Sequence, residues 1–461
     1  MRSLAAALTG VPRGRLLAIP AGLSVGGLVL AAAMPILFLH VDYQPKVVVS
    51  AGGTGATIKL SDVVVIVVAL TAAAAARRRG LAPLRPGIPV WVTAFLLLAW
   101  VTAATFYPLL SAASYAWKTH LVTAVEFAEY ALLAPAVPLL IRRRADGLLV
   151  LGTLAAWAVL ATTVGLVQWA GWGILEGWGQ GRRQPSFVGV EDFSALSVTA
   201  VAIGAVTLLW NAQGPVRRGA WIALVAGTVG FVLAGSSAGV IGLLPASLLV
   251  AAVAVRRRRA TRASLAACLA AVLVGSVGVV ALRAGDFGHF FRFIGAKHES
   301  VAASRNIQTY SQRTLLAYIG ARIWLHHPIV GAGWQASNEF SVFGRELPAA
   351  HRRFPNLAPI AFPSARHPYG VQDIYVETLA DLGVVGFALL VGLFGSGIRA
   401  AAKLALGAAP PDAFIGLLAV FWLVALLGLW SATGLIAGLP LDALTWLALG
   451  MSSVRLRETA P

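Results

Sequence analysis

Three groups of polar residues interrupt an otherwise apolar chain, and each could do chemistry. In the first, Ser311-Gln312-Arg313 leads to Trp324-Leu325-His326-His327-Pro328 and on to Gly331-Ala332-Gly333. An arginine in the first turn of a helix offers a planar fork of donors that can grip a phosphate through two oxygens. The same residue at a membrane surface could equally contact a lipid headgroup or a neighbouring acid. In the second, His367-Pro368-Tyr369 precedes Asp373, Glu377 and Asp381, which are spaced by four and share one stripe of a helix. His367 or Asp373 could take a proton from an attacking hydroxyl. Asp381 would lie about 12 Å deeper than Asp373 at the helical rise. A carboxylate at that depth is expected to face the bundle and find a partner, either as a functional group or in a structural pair with an arginine. In the third, Arg182-Arg183-Gln184-Pro185-Ser186-Phe187 runs into Glu191-Asp192. Basic at one end and acidic at the other, it reads as a solvated turn or as part of a binding site.

Soluble-enzyme signatures are absent. There is no Gly-rich phosphate loop with lysine, no His-Glu-x-x-His and no nucleophile elbow. His326 and His327 are adjacent, so their side chains diverge. Cys268 is the lone cysteine and lies within an apolar run. No disulfide, metal site or cofactor is therefore expected.

The elements that would position these groups are membrane helices. Of 461 residues 58% are apolar and 12% charged, and mean hydropathy is +0.80, whereas a soluble domain carries roughly twice that charge fraction. Apolar windows fall near 16–39, 60–76, 87–107, 119–140, 147–170, 193–210, 219–234, 237–255, 263–282, 373–394, 413–430 and 434–450. This is the pattern of an all-α polytopic membrane protein of about twelve transmembrane helices. The first window is longer than a signal-peptide core and reads as a retained span. Only Gly235-Ser236-Ser237 separates the seventh window from the eighth.

The formal charge of +18 sits mostly in clusters between spans, such as Arg77-Arg78-Arg79, Arg142-Arg143-Arg144 and Arg256 to Arg259. These read as orientation signals and contacts with anionic membrane lipids rather than with nucleic acid. With both termini cytoplasmic, every inside connection is basic. The chain then divides into helices 1–9 (residues 1–283), one large external loop (284–366) and helices 10–12 (367–461). That loop carries His289, His298, His326, His327 and His351, with His367 just beyond it. Within it, Ser311 could cap a helix whose apolar positions Leu315, Leu316, Ile319 and Ile323 keep helical spacing and which His327-Pro328 would end.

Taken in order, these segments resemble the O-antigen ligase and O-antigen polymerase superfamily. The family pattern of an arginine, a short helix with tryptophan, then His-Pro-Leu-Leu-Gly-x-Gly is similar to Arg313, Trp324 and His327-Pro328-Ile329-Val330-Gly331-Ala332-Gly333. Its later His-Asn-x-Tyr-Leu and Glu-x-Gly-x-x-Gly segments are similar to Gln372-Asp373-Ile374-Tyr375-Val376 and Asp381-Leu382-Gly383-Val384-Val385-Gly386. Its Gly-Thr-Phe-x-x-Pro-Asn-x-x-Ala motif is echoed by Pro185 to Ala195. The resemblance implies a GT-C-like, metal-independent membrane glycosyltransferase with a periplasmic or extracellular loop between helices 9 and 10. Such an enzyme moves a glycan from a polyprenyl-pyrophosphate donor to a glycan or lipid acceptor at the outer face of the cytoplasmic membrane. Arg313, with Arg305 or Arg183, would hold the pyrophosphate. His367, near where the family places its own histidine, is the expected base, with Asp373 competing for the role, and Trp324, His327, Glu377, Asp381 and Glu191 would support them. Two departures stand out: the family histidine falls on Gln372, and its Ser-Arg pair reads Ser236-Ser237. From a different class, a secondary transporter or lipid-linked glycan flippase would instead place polar or broken helices near the bilayer midplane.

Overall fold

The computed structural model describes residues 22–51, 54–110, 115–175, 177–210, 212–293, 309–407, 409–435 and 439–456. Among them, ten helical segments are long and apolar enough to cross a membrane. They are Leu60–Arg79, Ala82–Leu110, Trp117–Leu140, Arg144–Trp169, Val190–Leu209, Gly214–Ala234, Ser237–Arg256, Arg262–Leu282, Ile374–Gly407 and Pro410–Ala432. The outermost two windows hold 13-residue helices, Val25–Leu37 and Leu439–Met451. At about 1.5 Å per residue, the 13 described residues of each are shorter than the hydrocarbon layer. The architecture is that of a polytopic helical membrane protein. Leu70, Phe95, Leu248 and Val277 stand exposed on its helices, a surface suited to contact with lipid.

One helix organises the rest. Within Val190–Leu209, every residue from Asp192 to Leu209 is buried. It packs against Arg144–Trp169, Gly214–Ala234 and the Pro410–Leu429 helix. Small residues permit the approach, since a β-carbon on Gly204 would strike the Ala220 carbonyl and one on Gly227 the Ser197 carbonyl. The turn between Gly214–Ala234 and Ser237–Arg256 is as short as its three residues suggest. Gly235 ends the first helix with a left-handed φ of 61°. Ser236 caps the second, its hydroxyl accepting from the Gly239 amide at 3.4 Å.

The described part of the segment between Arg262–Leu282 and Ile374–Gly407 alternates short helices with loops. It contains Ala284–Phe293, Thr309–His326, Phe340–Phe343 and Leu347–Arg353. Leu315, Leu316, Ile319 and Ile323 are all buried, three of them in a small core shared with Phe343, Ala350 and Phe362. That helix ends at His326 as its sequence predicts, but is already helical at Thr309, so Ser311 lies inside it instead of capping it.

Two further findings depart from the sequence expectations. An antiparallel hairpin, Lys46–Ala51 with Thr54–Lys59, precedes the first long helix. Its Val47-Val48-Val49 run is β-branched and favours extended backbone, so the fold is not wholly helical. In Ile374–Gly407, Gly383 takes φ 65° and ψ −168°, which breaks the helix just after Asp381. The remainder from Val384 is still long enough to span a bilayer, which takes about 20 residues. Asp381 thus belongs to a short acidic helix at the loop end.

Candidate functional site

Three arginines converge at the loop end of the bundle. Arg313, on Thr309–His326, places Nη2 3.3 Å from Oε1 of Glu191, and Arg183 Nη1 lies 3.9 Å from the same oxygen. The other Glu191 oxygen accepts from the Ser236 hydroxyl at 2.6 Å. Arg283, buried at the end of Arg262–Leu282, donates from Nη1 to the Gly235 carbonyl at 3.0 Å and pairs with Asp286. Its guanidinium lies 5.0 Å over the Tyr310 ring, and Tyr310 in turn reaches the Ser237 hydroxyl at 2.9 Å. The buried Nε of Arg313 has no hydrogen-bond partner among the described residues.

Electrostatics ties these groups together. Burial, then repulsion from Arg283, lowers the Arg183 pKa to about 10, opposed by Glu191. A third positive charge, Arg313, pushes in the same direction. Asp373 lies within the field of Arg313. Burial raises its pKa, against the backbone amides of Val376 and Tyr375 and then Arg313. Asp373 Oδ1 accepts those amides at 3.1 and 2.9 Å, so the residue caps the Ile374 helix and is fixed in position. A preformed group of cations beside a half-buried carboxylate can bind an anionic phosphate and remove a proton next to it.

The acidic stripe continues from Asp373 as its spacing predicts. Glu377 and Asp381 are buried, and neither is paired with an arginine among the described residues. Glu377 accepts from Gln335 Nε2 at 3.1 Å and from the Leu435 amide. Asp381 Oδ1 accepts from the Ser337 amide at 2.8 Å. Both therefore hold the 331–339 loop, which is wedged into the bundle. Trp334 donates its amide to the Ala104 carbonyl and its indole N–H to Thr123, each at 3.0 Å. Tyr115 donates to the Trp334 carbonyl at 2.8 Å.

Other residues singled out in the sequence lie apart from the arginines. His367 is exposed on a tight turn, exchanging backbone hydrogen bonds with Ser364 and stacking loosely on Tyr369. Trp324 donates its indole N–H to the Pro328 carbonyl at 3.2 Å. His327 keeps most of its surface in contact with solvent, and partial desolvation, followed by the charges of His326 and Arg345, lowers its pKa. Arg305 lies outside the described residues. Sequence reading missed Arg283, Ser236 and Tyr310 as contributors. Arg283 was countable only as one of many basic residues near the loop, although it directly follows an apolar span. The serine was visible only where the resembled family has Ser-Arg.

No group of three or more His, Cys, Asp or Glu that could hold a metal ion occurs among the described residues.

The class defined by this arrangement is a polytopic helical membrane protein with arginines gathered at one end of its bundle. Residues 221–391 match the family described as O-antigen ligase, which supports assigning the chain to the O-antigen ligase and polymerase family. No curated protein matches the chain significantly. The matched segment supplies Ser236, Arg283, Arg313 and Asp373, while Arg183 and Glu191 come from upstream of it. The match supports a function of ligase or polymerase type and suggests a glycosyltransferase-like enzyme; the family implies lipid-linked glycan substrates and a membrane setting.

Proposed function

We propose that the protein transfers a glycan from a polyprenyl-pyrophosphate donor to a hydroxyl of a glycan or lipid acceptor. The observation that carries this reading is the meeting of Arg183 and Arg313 on Glu191, with the charge of Arg283 acting on Arg183 and Asp373 within the field of Arg313. In the reaction, the acceptor oxygen attacks the anomeric carbon and the bond from that carbon to the pyrophosphate oxygen breaks. The electron pair leaves on the pyrophosphate, which stays on its carrier, and the acceptor proton passes to a base. The three guanidiniums stabilise the departing charge without help from a metal ion. Arg305, next along the same segment, is a further candidate for this task.

Asp373 is the stronger candidate for the base. It is half-buried, held by two amides and within the field of Arg313, whereas the contacts of His367 are with Ser364 and Tyr369. Glu377 and Asp381 fix the 331–339 loop behind Asp373. Trp324 and His327 shape the start of that loop, and Glu191 orients two of the arginines. The site opens on the outer face of the cytoplasmic membrane, with both termini inside. Supporting this orientation, Arg77 to Arg79, Arg142 to Arg144 and Arg256 to Arg259 all lie at the bundle end opposite Arg313.

The test is transfer of a labelled lipid-linked glycan by purified protein in lipid, with chelator present. Formation of a new glycosidic bond supports the reading. Translocation of the donor without bond formation would replace it with the flippase alternative, and activity only with added metal would remove the metal-independent part.

A further inference from the structure

A polyprenyl-pyrophosphate carries its charge at one end of a hydrocarbon that cannot leave the bilayer, so an arginine site for it needs an apolar approach from the membrane. Along the chain between Arg144–Trp169 and Val190–Leu209, Trp172 is 70% exposed and Leu175 49%, with Trp169, Ile174 and Trp178 also exposed. This apolar segment is nonetheless rigidly built. The buried Gln184 side chain accepts from the Trp178 amide at 3.0 Å and donates to the carbonyls of Gly179 and Arg182 at 2.7 and 3.0 Å. The buried Gln168 side chain donates to the Ile174 carbonyl at 3.3 Å and accepts from the Ser186 amide at 2.9 Å. Two fully engaged amide side chains thus hold a set of indoles outward, which hydrophobic burial alone would not do.

The segment is also joined to the arginine site. The Arg183 guanidinium lies 4.4 Å over the Trp178 ring while its Nη1 faces Glu191. The other two arginines lead elsewhere. Arg283 is engaged by Gly235 and Tyr310, and Arg313 belongs to the helix that packs beneath the polar loop. On the membrane side, Leu166 lies one helical turn before Trp169, and both are exposed on one face. Exposed apolar side chains therefore recur from that span through Trp169 and Trp172 to Trp178, on which Arg183 stacks.

We propose that this tryptophan segment seats the isoprenoid chain of the donor, so that the donor lies with its tail on the Arg183 side and its glycan on the Arg313 and Asp373 side. This rests on the transferase reading above and adds the polarity of the bound substrate. Flat indole faces suit a branched, unsaturated hydrocarbon, and the Arg183–Trp178 stack places the first phosphate next to the first isoprene unit. Ordinary interfacial tryptophans would anchor the protein without contacting the donor.

The experiment uses the full chain in nanodiscs and a polyprenyl-pyrophosphate glycan bearing a photoreactive group on its isoprenoid tail. Crosslinks are expected in the peptide containing Trp169 to Trp178. In parallel, Trp172→Ser should raise KM for a long-chain donor about tenfold, a loss of ~1.4 kcal/mol in binding, with kcat and a short-chain donor little changed. Crosslinks confined to another helix face, or equal effects of Trp172→Ser on both donors, overturn the seat. Glycan transfer is scored separately. Transfer with crosslinks elsewhere defeats only the seat, whereas crosslinks at Trp169 to Trp178 without transfer support the seat and defeat the transferase reading.

Discussion

Gly331 and Gly383 meet back to back. A β-carbon on Gly383 would fall 2.6 Å from the Gly331 amide nitrogen, and one on Gly331 would strike the Asp381 carbonyl. Both have positive φ, 78° and 65°. The Ala332 amide donates to the Ala380 carbonyl at 2.8 Å, Gly333 to Asp381 at 3.0 Å and Val384 to Pro328 at 2.9 Å. Two segments that read as separate motifs are one joint, in which the loop satisfies backbone groups freed by the helix break.

Gly383→Ala should therefore destabilise the protein. The left-handed φ alone costs on the order of 1–3 kcal/mol in a non-glycine residue, and the clash adds to it. Thermal unfolding in detergent is expected to shift clearly downward. An unchanged melt would mean that the break is not required for the joint.

Arg313→Lys keeps the charge but loses the planar fork. Turnover should fall tenfold or more, because a charge-assisted hydrogen bond contributes roughly 1.5–3 kcal/mol. Glu191→Gln should act in the opposite sense on the anion, tightening inhibition by inorganic pyrophosphate, since the carboxylate that competes for Arg313 and Arg183 is neutralised. If both variants, correctly folded, behave as wild type in turnover and inhibition, the cluster is only a structural contact.

The pH profile distinguishes the two candidate bases. The active form of Asp373 is the carboxylate, and burial raises its pKa. Transfer should be complete above that raised value and decline as pH falls through it, with an acid limb above the ordinary carboxylate value of about 4. Asp373→Asn should lose activity, while His367→Ala keeps both activity and limb. A limb near the histidine reference of about 6.5 that disappears in His367→Ala would give the role to the histidine.

Topology is testable without activity. Reporters fused after Arg144 or Arg262 should read cytoplasmic, and one near Ala350 should read external. An external signal after Arg262 would reverse the orientation on which the proposed outer-face site depends.

Much of the bundle was legible because membrane spans announce themselves one at a time. Each of the long helices falls on an apolar window, and Gly235-Ser236-Ser237 marks its turn through ordinary capping chemistry. The buried face of Thr309–His326 was equally readable from the spacing of Leu315, Ile319 and Ile323. The site was legible only in part. Arg313, Arg183, Glu191 and Asp373 could be nominated singly, but their meeting depends on how distant helices pack, which no local pattern records. Arg283 was hidden for the same reason among other bases. The break at Gly383 was missed because a glycine inside an apolar run usually signals close packing, and its left-handed conformation is imposed by the loop it meets.

The Val190–Leu209 helix, buried from Asp192 onward, carries Glu191 on its first turn. Lateral pressure and changes in bilayer thickness act on surfaces that lipid touches, and this helix presents almost none. The carboxylate around which the arginines gather is thus insulated from membrane elasticity, with the surrounding helices taking up the deformation. The same insulation gives the helix little tolerance for larger side chains: adding bulk at Gly204 would push backbone against backbone at the centre of the molecule, and the displacement would be carried along a rigid rod to the ion cluster at its tip.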